Sequence, residues 1–147
     1  MKNAKKMILV FSMKVEVLIE KGKDGTYDAC MEINQNLDFG LLGQGDTVEE
    51  AINDLMACKE DMQTLYKDTN KSFPKDLEFV YKYDMQSFLA YYSKIFTKPA
   101  LEKITGINQK QFFHYASGRS RPSKRTVEKI DRSFRKFSNE LNKIHFA

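Results

Sequence analysis

The chain has 147 residues, 41% hydrophobic and 30% charged, with three prolines, seven glycines and no low-complexity tract. That composition excludes fibrous and disordered classes and leaves room for one ordinary domain or two small ones. The net charge of +4 hides an uneven split: residues 1–83 carry 11 lysines, no arginine and 15 acids, a balance of −4, whereas residues 84–147 carry 13 basic against five acidic side chains, a balance of +8.

All five arginines, Arg119, Arg121, Arg125, Arg132 and Arg135, lie in the second part. A basic stretch is usually a solvated face, but this one follows a helical motif described below, so the split predicts two domains, the second shaped for polyanions. Cys30 and Cys58 fall in different predicted elements with no second Cys or His at metal-ligand spacing. A disulfide framework or zinc site is therefore not expected, and a reducing cytoplasm fits.

Lysines before the apolar run Met7–Phe11 resemble a signal peptide, yet the run is short, no small-residue cleavage site follows, and Lys14 and Glu16 come at once. Residues 1–12 are expected to be a disordered extension, with Met1 or Met13 as the natural start left open. No segment approaches the ~18 apolar residues of a membrane span, so no membrane association is expected.

Val15, Val17 and Ile19 alternate with Lys14, Glu16 and Glu20, which predicts a half-buried strand. Lys23-Asp24-Gly25-Thr26 is a hairpin signal. In the next run Tyr27, Ala29, Met31 and Ile33 share one side, and Asp28, Cys30, Glu32 and Asn34 the other. A short third strand is expected over 39–42, ended by Gly43-Gln44-Gly45. Asp46 or Thr47 then caps a long helix with Glu49 and Glu50 at its positive dipole end. Val48, Ile52, Leu55, Met56, Met62, Leu65 and Tyr66 keep helical spacing to about Asp68. Leu77, Phe79, Tyr81 and Tyr83 alternate as a fourth strand, giving a β-β-β-α-β unit over 13–83.

Everything beyond Tyr83–Gln86 reads as helical. Phe88, Leu89, Tyr92 and Phe96 mark one helix, and Pro99 opens a second that buries Leu101 and Ile104 and stops at Gly106. Ile107 plugs the corner, and Asn108 caps a third helix with Gln111 three residues on. Gly118 ends that helix, Pro122 breaks the chain, and Ser123 caps a fourth helix running to about Lys143. The fold class expected is thus α+β, with an all-α helix-turn-helix DNA-binding domain over 84–147.

The string ITGINQKQFFHYASGRSRPS is the sharpest signal. A short helix, a glycine turn and a capped second helix let that second helix enter the major groove while the first braces it. Ile107, Phe112 and Tyr115 face inward, while Gln109, Lys110, Phe113, His114 and Ser117 face outward. Gln bonds adenine bidentately, Lys meets guanine, and Phe touches a thymine methyl, so Gln109, Lys110, Phe113 and His114 are the expected base contacts. Asn108, Ser117, Arg119, Ser120, Arg121, Ser123, Lys124 and Arg125 are the expected phosphate contacts. The plainer alternative, a helical tail used only for packing, leaves the exposed amides, Lys, His and Arg-Ser-Arg without a reason.

Residues 84–137 resemble the Cro/Xre-like helix-turn-helix repressors. Gln109, Lys110 and His114 match the base-reading positions of that family, and Phe113 stands where the family is usually polar. The string GQGDTVEEAINDL in front, joined to ALEKITGINQKQFFHYASGRSRPS, resembles the HicB antitoxin family over most of residues 13–137. The stretch Glu32-Ile33-Asn34-Gln35-Asn36-Leu37 departs from the family's Pro-Asp-Leu-Pro-Gly-type pattern. The resemblance implies a partial RNase H-like front domain that blocks a HicA-type toxin ribonuclease, and a tail that represses the protein's own operon. An acidic front domain suits a small basic partner.

Glu16, Glu20, Asp24, Asp28 and Asp54 invite comparison with a two-metal carboxylate cluster. Glu16 and Glu20 fall on the strand's solvent face and Asp24 belongs to the turn, so surface acids are the better reading. Cys30 and Cys58 lack a catalytic context and His145 lies at the end of the chain. No enzyme, cofactor or metal is expected. In the last helix Val127, Ile130, Phe134, Phe137, Leu141 and Ile144 follow a 3-4-3-4-3 spacing. Packing within the module explains it, and a homodimer seam over Phe137, Leu141 and Ile144 is the sharper alternative. The function expected is antitoxin and operon repressor. The alternative is a stand-alone transcriptional regulator whose front domain senses a ligand or dimerises.

Overall fold

The computed structural model describes residues 12–147. The extension expected over residues 1–12, with its apolar run, lies outside the described residues apart from Ser12. Strands β1 (Met13–Lys21), β2 (Tyr27–Met31) and β3 (Leu42–Gly45), helix α1 (Val48–Asp68) and strand β4 (Leu77–Tyr83) come first. Helices α2 (Met85–Tyr92), α3 (Lys98–Thr105), α4 (Gln109–Ala116) and α5 (Lys124–Leu141) follow. Among the described residues the architecture is α+β, one mixed sheet and five helices. Among the described residues no helix is long and apolar enough to cross a membrane.

The sheet runs in the order β3-β2-β1-β4; β1–β2 and β2–β3 are antiparallel, and β4 lies parallel to β1. Alternation in β1 and β2 buries Val15, Val17, Ile19, Tyr27, Ala29 and Met31, and α1 covers that face with Val48, Ala51 and Leu55. Lys14, Glu16 and Glu20 are exposed on the opposite face, as period two requires. At the hairpin Asp24 Oδ1 accepts from Thr26 N at 3.0 Å and Thr26 Oγ1 at 2.7 Å, while Gly25 takes a φ of 89°. The Thr26 hydroxyl and amide hold the Asp24 carboxyl below its usual range.

Several details differ from the sequence expectation. The third strand is Leu42–Gly45, so both glycines belong to it instead of ending it. Their lack of a side chain is what lets α1 lie on the strand: a Cβ on Gly43 would stand 2.2 Å from the Ala51 carbonyl oxygen and 2.3 Å from Leu55 N. Phe39 is released from strand pairing and stacks on Phe73 at 5.3 Å, with Tyr66 edge-on at 5.6 Å. Ile33, expected inside, is 99% exposed because β2 ends at Met31 and the chain turns through Asn34, whose Oδ1 accepts from Asn36 N at 2.9 Å.

On α1, Met56 and Leu65 are exposed and Ala51 takes the central contact, because close approach to the sheet admits only a small residue there. Thr47, not Asp46, caps α1, forming a reciprocal box with Glu50. The first helix of the tail stops at Tyr92, leaving Phe96 beyond it, and α5 stops at Leu141, leaving Ile144 beyond it.

A second buried cluster joins Leu89, Leu101, Phe112, Tyr115 and Ile130, with Phe88, Phe96, Ile107 and Phe134 against it. Helix α2 also touches β1, β4 and α1. At that joint Tyr83 packs on Phe88, Tyr91 and Tyr92 at 6.1, 6.2 and 5.9 Å. Burial there, with the Tyr92 phenol beside it, pushes the Tyr83 hydroxyl well above its ordinary pKa, so it stays protonated at physiological pH.

Candidate nucleic-acid interface

Local chemistry sets the corner between α3 and α4. Thr97 caps α3 by accepting from Ala100 N at 3.2 Å, Pro99 sits in the first turn, and Gly106 ends the helix in the left-handed region at φ 69°. The buried Thr105 hydroxyl donates to Leu101 O at 2.7 Å and accepts from Ile107 N at 3.2 Å. Asn108 caps α4 by accepting from Lys110 N at 2.9 Å. The expected help from Gln111 is replaced by Glu102 of α3, whose Oε2 accepts from Gln109 N at 3.0 Å. A corner this tight brings a carboxylate from the preceding helix onto the amides of the next, where the dipole favours it.

Phe112 and Tyr115 fix the inner face of α4, at 1% and 8% exposure. Outward stand Gln109 and His114, both half-buried, with Lys110, Phe113 and Ser117 exposed. Phe113 is 56% exposed, and the Lys98 ammonium lies 4.4 Å from its ring centroid. Sequence reasoning missed Lys98, because nothing in its local pattern marks it; only the corner carries the start of α3 to this face.

After α4 the chain turns at Gly118, with φ 73°, and Gln86 Nε2 of α2 donates to Ala116 O at 3.3 Å beside it. Arg119, Arg121, Lys124 and Arg125 are exposed, and none makes an ion pair among the described residues. The expected phosphate-binding hydroxyls stand differently. Ser117 Oγ donates to His114 O at 3.1 Å, and Ser123 Oγ caps α5 by accepting from Thr126 N at 3.2 Å. Ser120 turns its hydroxyl inward without a partner among the described residues, and its backbone N donates to His114 O at 3.3 Å. The cations, rather than these hydroxyls, are what the loop presents.

Lys124 and Arg125 occupy the first turn of α5, which holds no acid. Cations there oppose the positive end of the helix dipole, so they are not placed for the stability of the helix. Further along α5, Ile130 is buried, and Phe134 meets Phe88 and Phe96 edge-on, each at 5.4 Å. Phe137 is half-buried, whereas Val127, Leu141 and Ile144 are 45%, 50% and 53% exposed. The middle of the stripe, Ile130 and Phe134, thus packs within the chain, and both its ends are open.

The acids weighed as a metal cluster are dispersed. Glu16 pairs with Lys82, whose side-chain hydrogen bond holds the Glu16 carboxyl below its usual pKa. Asp24 serves the hairpin, while Asp28 and Asp54 accept from Gln44 Nε2 and Gln44 N, each at 2.9 Å. Both cysteines are free; Cys30 is exposed and Cys58 donates to Leu42 O at 3.3 Å. Comparison with protein-family models, curated proteins and solved structures returns no match for this chain.

Proposed function

We propose that residues 84–147 are a helix-turn-helix module that reads double-stranded DNA, and that the whole chain is an antitoxin of the HicA–HicB type. In this reading residues 13–83, a partial RNase H-like unit, neutralise a small basic toxin ribonuclease, and the tail represses the operon encoding both. The observation that carries the DNA reading is the set of four exposed cations, Arg119, Arg121, Lys124 and Arg125, unpaired among the described residues and flanking α4. For the antitoxin reading the support is the β-β-β-α-β order with its acidic balance of −4 and the sequence resemblance. A homodimer through Phe137, Leu141 and Ile144 would match a two-fold operator.

Gln109→Ala and Lys110→Ala are each expected to weaken binding to the cognate operator by about 1–3 kcal/mol and to random duplex far less. The double variant Arg119→Ala/Arg121→Ala should weaken binding to every sequence and flatten the log–log salt dependence by about two. Fluorescence anisotropy across a salt series reads both; full discrimination and an unchanged slope would move the DNA site elsewhere. For the antitoxin, the full chain mixed with the product of the adjacent gene should form a complex and suppress its ribonuclease activity. No complex at micromolar concentration would favour the stand-alone regulator. That second reading draws on a cleft between the sheet and the helices, described next.

A further inference from the structure

A cavity of about 250 Å³ opens where the end of β1 and the start of β2 meet α2 and α3. Leu89 and Leu101, both buried, supply apolar wall, and Lys21, Lys98, Gln86 and Ser93 supply its polar groups. Among the described residues no carboxylate lines it. Neither lysine has an ion-pair partner among the described residues. Each lies over an aromatic ring instead, Lys21 at 5.6 Å from Tyr27 and Lys98 at 4.4 Å from Phe113. Both lysine side chains line this one partly apolar space, so an anion entering it has two cations within its walls, and low-dielectric surroundings strengthen the attraction.

We propose that this cleft binds a small organic anion, a carboxylate or phosphate monoester on an apolar body, and that the bound anion weakens the protein's hold on DNA. The anionic group meets Lys21 and Lys98, Gln86 and Ser93 add hydrogen bonds, and the body lies on Leu89 and Leu101. Coupling runs through Lys98, which lines the cleft and also covers Phe113 on the outward face of α4. An anion in the cleft neutralises positive charge beneath that face and draws Lys98 off the ring. By linkage, DNA lowers the affinity for the anion by the same factor. The coupling rests on the DNA reading above, whereas the binding site does not.

The test uses the full chain and phenyl phosphate as probe. Without DNA, backbone amide shifts are expected at Lys21, Ser93 and Lys98, with inorganic phosphate binding more weakly for want of an apolar body. Lys21→Ala, an exposed change outside the DNA face, should lower the probe's affinity about tenfold, the loss typical of one charge-assisted hydrogen bond. Shifts confined to residues 119–125, no shifts at millimolar probe, or equal binding by Lys21→Ala would overturn the site. With duplex DNA at low salt, saturating probe should weaken wild-type binding about fivefold, a coupling of ordinary size, and Lys21→Ala should need about tenfold more probe for the same effect. Unchanged DNA affinity with the cleft occupied overturns the coupling. If no DNA binds at all, the DNA-free shifts still decide the site.

Discussion

Gly43→Ala is expected to destabilise the sheet unit by at least about 3 kcal/mol, the upper end of what overpacking costs. The added methyl would stand 2.2 Å from Ala51 O, 2.3 Å from Leu55 N and 2.8 Å from Leu55 Cα. All three are helix backbone, so no rotamer change relieves the contact. Helix α1 must lift from β3, which uncovers Ala51 and Leu55, both at 0% exposure. Against a typical total of about 5–15 kcal/mol that is a large share. Gly40→Ala is the matched control, since a Cβ there meets nothing within 4 Å. Urea unfolding followed by circular dichroism should show a clearly lower midpoint for Gly43→Ala and little change for Gly40→Ala. Equal midpoints would mean that the helix does not sit on the strand.

Phe112→Ala and Phe113→Ala, adjacent in sequence, should differ sharply. Phe112 is 1% exposed, its ring 6.0 Å from that of Tyr115 in the cluster that joins α2, α3, α4 and α5. Truncating a buried Phe to Ala costs about 3–5 kcal/mol, and a small helical unit with one core has little margin. Phe112→Ala should therefore disorder the tail and remove DNA binding at every sequence and salt concentration. Phe113→Ala removes a ring that is 56% exposed and leaves the core intact, so its melting temperature should stay near that of the wild type. Any loss of DNA affinity in Phe113→Ala then reports the outward face of α4 and its Lys98 contact. Thermal unfolding alongside anisotropy separates the two cases, and a stable Phe112→Ala protein would refute the inward assignment.

The elements that the sequence determined by itself are those whose signals are local. Alternation at Val15, Val17 and Ile19 marks a strand with one buried face because successive side chains must point to opposite sides. Asn108 and Ser123 announce helix starts because a side-chain oxygen satisfies an amide two or three residues on. Gly106 and Gly118 announce helix ends because they adopt positive φ at no steric cost. The inward Phe112 and Tyr115 follow from the helical period once those ends are set.

Tertiary structure decided what depends on groups far apart in the chain. Gly43 and Gly45 read as strand breakers until α1 is laid across them, when lack of a Cβ becomes the condition for contact. Ile33 matches the buried period of β2, but the strand ends at Met31 and the chain turns away through Asn34. The parallel placement of β4 beside β1 pairs residues 64 apart, as Met13 with Leu77. Lys98 reaches Phe113, and Lys21 reaches the same cleft, only after the corner and the α2 joint have formed. Capping and alternation act over a few bonds and leave their mark in consecutive residues. Close approach of backbones and convergence of charges across elements are governed by packing distances, and no short stretch of sequence encodes those.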